Sequence, residues 1–178
     1  MPQQTKLTST IYLQPITIND ASALYDLMKE IYPKSYDYFW LDKGQWYVNS
    51  LYNKANIQAE LDEPNSVYQF VILNDEKIGI LRLLHHKTYA VYADKKASKL
   101  HRVYLHSKSQ GKGIGKLLMN WTIEESRKAG SEILWLDAMD TKEQALKFYE
   151  KMDFQIGSRE VLTFEPLLVE YRGMYQMW

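Results

Sequence analysis

The chain has 178 residues, enough for one domain with a sizeable core, and its 22 Lys and Arg balance its 22 Asp and Glu. A formal charge of zero gives no electrostatic reason to expect a nucleic-acid or membrane partner, and 46% hydrophobic content argues against disorder. The absence of cysteine excludes a disulfide scaffold, a cysteine nucleophile and cysteine-based zinc or iron–sulfur sites.

The opening MPQQTKLTST has no apolar signal core, and no apolar run is long enough to cross a bilayer. We therefore expect a soluble cytoplasmic protein. No internal repeat or Gly/Ser-rich linker interrupts the chain, so one domain over residues 1–178 is expected.

In chain order, Ile11 to Ile16 reads as a strand. Asn19 or Asp20 can cap a helix over Ala21 to Ile31, with Leu24, Leu27, Met28 and Ile31 at helical spacing. Pro33 helps to end it. The aromatic stretch YPKSYDYFWLDKGQWY follows, and Trp46 to Glu60 then reads as one helix. SVYQFVIL and KIGILRLL form a hairpin around Asn74, Asp75 and Glu76.

The segment HHKTYAVYADKKASK has no clear pattern, and Leu100 to Leu105 is the next strand. A helix from about Gly113 to Ala129 buries Ile114, Leu117, Leu118 and Trp121, with Gly130 at the left-handed cap position. The apolar ILWLD (133–137) suits a central strand. Thr141 and Gln144 fit a capping box for a helix carrying Ala145, Phe148, Tyr149 and Met152 on one side. Gln155 to Phe164 and Val169 to Trp178 read as final strands. This order predicts an α/β chain with a mixed sheet and helices on both faces, with LHRVYL and ILWLD as parallel strands. The last strand, RGMYQMW, could close this sheet or pair with the edge of a second copy, so a homodimer is one option.

The chemistry concentrates in HSKSQGKGIGKLL, residues 106–118. Its glycines, Gly111, Gly113 and Gly115, follow a strand and open a helix. Such a turn can offer several backbone N–H groups to one anion, aided by the helix dipole. The amides of about Gln110 to Lys116 thus make a candidate phosphate cradle; the plain alternative is an ordinary strand–helix turn. A nucleotide P-loop does not fit, because Gly111 and Gly115 are one residue too close and Leu117 replaces the magnesium-binding hydroxyl. A dinucleotide fingerprint needs G-x-G-x-x-G. Here the glycines read G-x-G-x-G, although Asp137 lies at about the distance of a ribose-binding acid.

LHRVYLHSKSQGKGIGKLL closely resembles the acetyl-CoA-binding motif of the GNAT superfamily of N-acetyltransferases. Gln110, Gly113 and Gly115 meet its Q/R-x-x-G-x-G/A signature. A second landmark, AMDTKEQALKFYEKMDF, is similar to the family's N-x-x-A-x-x-x-Y-x-x-x-G-F segment through Ala145, Tyr149 and Phe154. The resemblance implies a GNAT-like, mostly antiparallel sheet with one parallel pair splayed around the cofactor. It also implies transfer of acetyl from acetyl-CoA to a primary amine by direct attack. The pyrophosphate would lie on Gln110, Gly111, Lys112, Gly113, Ile114, Gly115 and Lys116, and the pantetheine arm on the backbone of Tyr104 and Leu105. Lys108 or Lys112 could meet the ribose phosphate.

By the same resemblance Tyr149 is the general acid. Three positions depart from the family pattern: Lys142 replaces the usual Asn of the cofactor site, Asp153 the usual Gly, and Lys99 a frequent catalytic Glu. The base is therefore open, and His101 is the candidate because imidazole titrates in a suitable range. The scattered histidines show no metal spacing, so no metal is expected. Aromatics of residues 32–47 beside Glu60, Asp62 and Glu63 could hold a cation, which suggests a polyamine or another small cationic amine as acceptor. A non-catalytic acyl-CoA sensor on the same fold is the alternative.

Overall fold

The computed structural model describes residues 4–178. They form two compact units. One reaches to Leu83 and takes in Arg102–Ile114; the other comprises Leu84–His101 and Gly115–Trp178.

The first unit contains β1 (Thr5–Lys6), β2 (Ile11–Pro15), α1 (Ala21–Ile31), α2 (Pro33–Tyr36), α3 (Gln45–Leu51), α4 (Lys54–Asp62), β3 (Ser66–Leu73) and β4 (Glu76–Leu84). It also holds the C-terminal half of β5 (Ala97–Leu105). Its strands lie in chain order. β2 runs antiparallel to β3, with Leu13 opposite Val71. Tyr68 to Ile72 and Ile78 to Leu83 are buried without interruption, as strands covered on both faces should be. Asn74 and Asp75 both take positive φ, 49° and 65°, in the two-residue turn that a twisted hairpin favours. Glu76 already belongs to β4, so the loop is one residue shorter than expected.

Trp46 to Glu60 is not one helix. It breaks between α3 and α4, where the Asn53 side chain accepts the Asn56 N–H at 2.9 Å and starts a new helix. Local capping wins there over the continuing apolar period.

The second unit contains the N-terminal half of β5, α5 (Ile114–Lys128), β6 (Ile133–Met139), α6 (Glu143–Glu150), β7 (Ile156–Val161) and β8 (Gly173–Met177). β5 starts three residues before the expected Leu100. Gly130 caps α5 at φ 78°, and Asp153 takes φ 65° after α6. The expected capping box at Thr141 does not form: α6 starts after Lys142, whose side chain makes no cap bond. β8 lies between β6 and β7, antiparallel to both, while Val169–Tyr171 is a separate 3-10 turn rather than strand.

The strands of the described residues form the expected mixed, mostly antiparallel order, with β5 and β6 as the parallel pair. That ladder runs from Ala97 opposite Ile133 to Leu100 opposite Leu136. It ends one residue short of His101 and Asp137. No helix of the described residues is long and apolar enough to cross a membrane.

Candidate functional site

In the first unit, His106 leaves β5 and begins a tight 3-10 turn over Ser107–Ser109. Its carbonyl accepts the Ser109 N–H at 2.9 Å and the Ser109 hydroxyl at 2.6 Å. Its own N–H donates to Ile78 O at 2.7 Å. The chain then runs through Gln110, Gly111, Lys112 and Gly113, all exposed, to the buried Ile114 that anchors α5.

Gly111 and Gly113 take φ of 73° and 72°, and a Cβ on either would meet nothing within 4 Å. Both need glycine for the backbone conformation, not for crowding inside the protein. Lys108 is ion-paired with Glu76, while Lys112 and Lys116 are exposed.

The Tyr104 side chain packs edge-on against Tyr32 and Tyr36, with centroids at 5.6 and 5.8 Å. Its hydroxyl lies 2.9 Å from that of Tyr47. Tyr32 stacks between Tyr36 (4.9 Å) and Tyr47 (4.2 Å). Burial, then the neighbouring Tyr47, holds the Tyr104 phenol well above its ordinary pKa. The rings of the aromatic stretch thus gather around Tyr104, and Tyr36, Tyr47 and Tyr104 remain partly exposed.

Of the three acids expected beside them, Glu60 and Glu63 are engaged by arginines, whereas Asp62 is exposed and accepts the Gln58 amide N–H at 2.8 Å. Glu60 pairs with Arg102 at 2.6 Å and Arg82 at 3.4 Å, and Glu63 pairs with Arg82 at 2.6 Å. Both guanidiniums are buried. Sequence reading missed these arginines, since neither lies in a motif. Their alternating positions on apolar strands were the available signal.

In the second unit, Gly115 lies in the first turn of α5, where a Cβ would make ordinary contact with Phe148 at 3.6 Å. Tyr149 on α6 is half-buried between Phe148 and Phe154, with centroids at 5.4 and 6.0 Å. Burial pushes its phenol up to about 12. Lys142 supplies the carbonyl that accepts the Ala145 and Leu146 N–H groups at the start of α6.

Lys99 sits on β5 with its ammonium 4.1 Å above the Trp135 ring and 2.6 Å from Asp137 Oδ2. Asp137 Oδ1 is buried and has no hydrogen-bond partner. His101, two residues further along β5, is partly exposed on the same strand face as Lys99. The Asp137 pairing was not legible from sequence, where that residue figured only as a ribose-binding acid. Among the described residues, no group of three or more His, Asp or Glu side chains could hold a metal ion.

The model of the Acetyltransferase (GNAT) family matches residues 22–154. The chain belongs to the GNAT acetyltransferase family. The GNAT match takes in the glycine turn, the Lys99–Asp137 pair and Tyr149.

Among its relatives is an uncharacterized N-acetyltransferase from the pepI 3′ region of Lactobacillus delbrueckii subsp. lactis, 26% identical over 58% of this chain and 60% of that protein. The GNAT chain thus matches over less than two thirds of that relative's length. An aminoalkylphosphonate N-acetyltransferase of Salmonella typhimurium is 25% identical over 77% of this chain and 80% of its own.

Among solved structures, PaiA N-acetyltransferase from Thermoplasma acidophilum in complex with coenzyme A aligns with a TM-score of 0.70 and 19% identity, over 94% of this chain and 97% of that one. A mutant of the spermidine N-acetyltransferase SpeG from Vibrio cholerae aligns with a TM-score of 0.67 and 16% identity, over 96% and 93%. At those identities the likeness is one of fold.

Proposed function

We propose that residues 1–178 act as one acetyltransferase domain, which moves the acetyl group of acetyl-CoA to a primary amine. The observation that carries this reading is the turn at Gly111 and Gly113: two left-handed glycines with open space above them, at the start of a long helix, inside a GNAT match. The amides of Gln110 to Lys116 would hold the pyrophosphate, and the backbone of Tyr104 and Leu105 the pantetheine arm.

In the proposed reaction the amine nitrogen attacks the thioester carbonyl, the C–N bond forms and the C–S bond breaks. Direct attack needs no enzyme nucleophile, so a chain without cysteine can perform it. The enzyme's tasks are to position the amine, take its proton and protonate the departing thiolate. Tyr149 is the proton donor. A phenol raised to about 12 keeps its proton at neutral pH and is available to donate it as the C–S bond breaks.

Asp137 is read as the group that receives the amine proton. Its second oxygen is buried without a donor, and Lys99 holds the first. His101 is the competing base on the neighbouring strand.

The acceptor is a small cationic amine held on the faces of Tyr36, Tyr47 and Tyr104. A polyamine belongs to that class. The arginine pairing of Glu60 and Glu63, however, removes two of the three carboxylates that would favour a second ammonium and leaves only Asp62. Spermidine and a monoamine of similar length should therefore have kcat/KM values within about tenfold of each other, a difference of about 1.4 kcal/mol.

The test is thermal unfolding with acetyl-CoA, CoA, dephospho-CoA, NAD and ATP in turn, followed by thiol release over an amine panel. A ligand at 100 times its Kd adds about 2.7 kcal/mol, visible as a rise in Tm. Stabilisation by CoA species with turnover supports the reading. Tight CoA binding without turnover across the panel would favour the acyl-CoA sensor instead, and stabilisation by NAD alone would reject both.

A further inference from the structure

His106 has every polar atom engaged. Its backbone joins β4 to the 3-10 turn. Its ring does more. Nδ1 accepts the Lys108 N–H at 3.0 Å, and Nε2 lies 2.9 Å from Glu30 Oε1 on α1. A ring nitrogen that accepts carries no proton, so the neutral ring's one hydrogen is on Nε2 and donates to Glu30. Lys34 Nζ lies 3.2 Å from the same Glu30 oxygen and 3.2 Å from Nε2, so the ammonium and the ring N–H converge on one carboxylate oxygen. The hydrogen bond from His106, then Lys34, holds the Glu30 carboxyl below its ordinary range.

We infer that His106 is a positioning residue for the cofactor turn, with Glu30 fixing the tautomer whose Nδ1 caps the Lys108 amide. This rests on the reading of Gln110 to Lys116 as the CoA cradle. The turn that leads into those amides has one side-chain cap, and that cap is His106 Nδ1. Without it, Ser107 to Ser109 lose their fixed entry into Gly111, and the amides lose their common aim. Glu30 and Lys34 act through the ring and touch no reactant.

The charged groups facing the ring are Glu30 from α1 and Lys34 from α2. On its own turn, the Lys108 ammonium is drawn to Glu76 of β4.

Two substitutions separate the two ring nitrogens. In His106→Asn, the amide oxygen takes the place of Nδ1 and keeps the cap while the Glu30 contact is lost. In His106→Gln, the amide reaches toward Nε2 and keeps the Glu30 contact while the cap is lost. With both variants checked for folding by thermal melts, His106→Asn should retain the wild-type KM for acetyl-CoA. His106→Gln should raise KM about tenfold with kcat nearly unchanged, the loss of one hydrogen bond's contribution.

Hydrogen exchange of the Lys108 amide in the ligand-free protein should be slow in wild type and His106→Asn and fast in His106→Gln. This readout needs no cofactor, so it separates failure of the cap from failure of the CoA reading. Equal exchange and equal KM in the two variants would overturn the inference. Normal exchange behaviour in a protein that CoA does not stabilise would confine His106 to holding the turn and overturn its role toward the cofactor.

Discussion

Asp137 and Lys99 meet across the end of the β5–β6 ladder, with Oδ2 and Nζ 2.6 Å apart and the other carboxylate oxygen buried without a partner. A carboxylate with one oxygen paired and the other unpaired suits a group that receives a proton. Asp137→Asn should lower kcat by about 100-fold near neutral pH, the scale of general-base catalysis. The deficit should shrink as pH rises toward about 10, where an alkylamine sheds its own proton. A deficit unchanged with pH would mean that Asp137 serves only to pair Lys99. If His101→Ala abolished turnover while Asp137→Asn did not, the base would be His101.

Tyr149→Phe should keep acetyl-CoA binding and lower kcat by about 100-fold or more. The acid must carry its proton to act, and burial pushes its phenol up to about 12. Its share of the rate should therefore persist through pH 10 and fall only as the pH approaches about 12. A break in the kcat–pH profile near the ordinary phenol value, or full turnover by Tyr149→Phe, would remove this assignment.

The three glycines of the turn should respond differently to alanine. At Gly111 and Gly113 the cost is backbone strain of about 1–2 kcal/mol, because φ is positive there and no neighbour obstructs a methyl group. That methyl would also stand in the space assigned to the phosphates, so CoA should stabilise these variants much less than wild type. Gly115 sits inside α5, with Phe148 at ordinary contact distance, so Gly115→Ala should be tolerated or stabilising by up to about 1 kcal/mol. Urea unfolding with and without CoA reads both effects. Equal CoA stabilisation of all three variants would argue against the cradle.

Glu60 holds two buried guanidiniums at once. Glu60→Gln takes from Arg102 the carboxylate 2.6 Å away and from Arg82 one of the two carboxylates that pair with it. Removing one partner of a buried pair costs about 3–5 kcal/mol, and urea unfolding should show a loss of that size. If the carboxylate instead bound the acceptor, stability would change little and KM for the amine would rise.

What the sequence by itself determined is what short-range pattern can encode. Asn74 and Asp75 tolerate the left-handed conformation between two strand-forming runs, so the hairpin was legible. Gly130 marked the end of α5 because few other residues cap so easily. The spacing of Gln110, Gly113 and Gly115, with Ala145, Tyr149 and Phe154 downstream, pointed to the family before any coordinates. Where local signals competed, the reading failed: Asn53 capped a new helix inside an unbroken apolar period, and Thr141 did not cap α6.

Only the tertiary structure decided which distant residues meet. Lys99 reaches Asp137 because parallel pairing puts Lys99 opposite Trp135, and the carboxylate two positions on shares that face. Arg82 and Arg102 come from separate strands to one carboxylate on α4. His106 finds Glu30 from 76 residues away. β8 enters between β6 and β7, although it follows both in the chain. Strand register and packing choose these partners, and neither is written in the local spacing of any one segment.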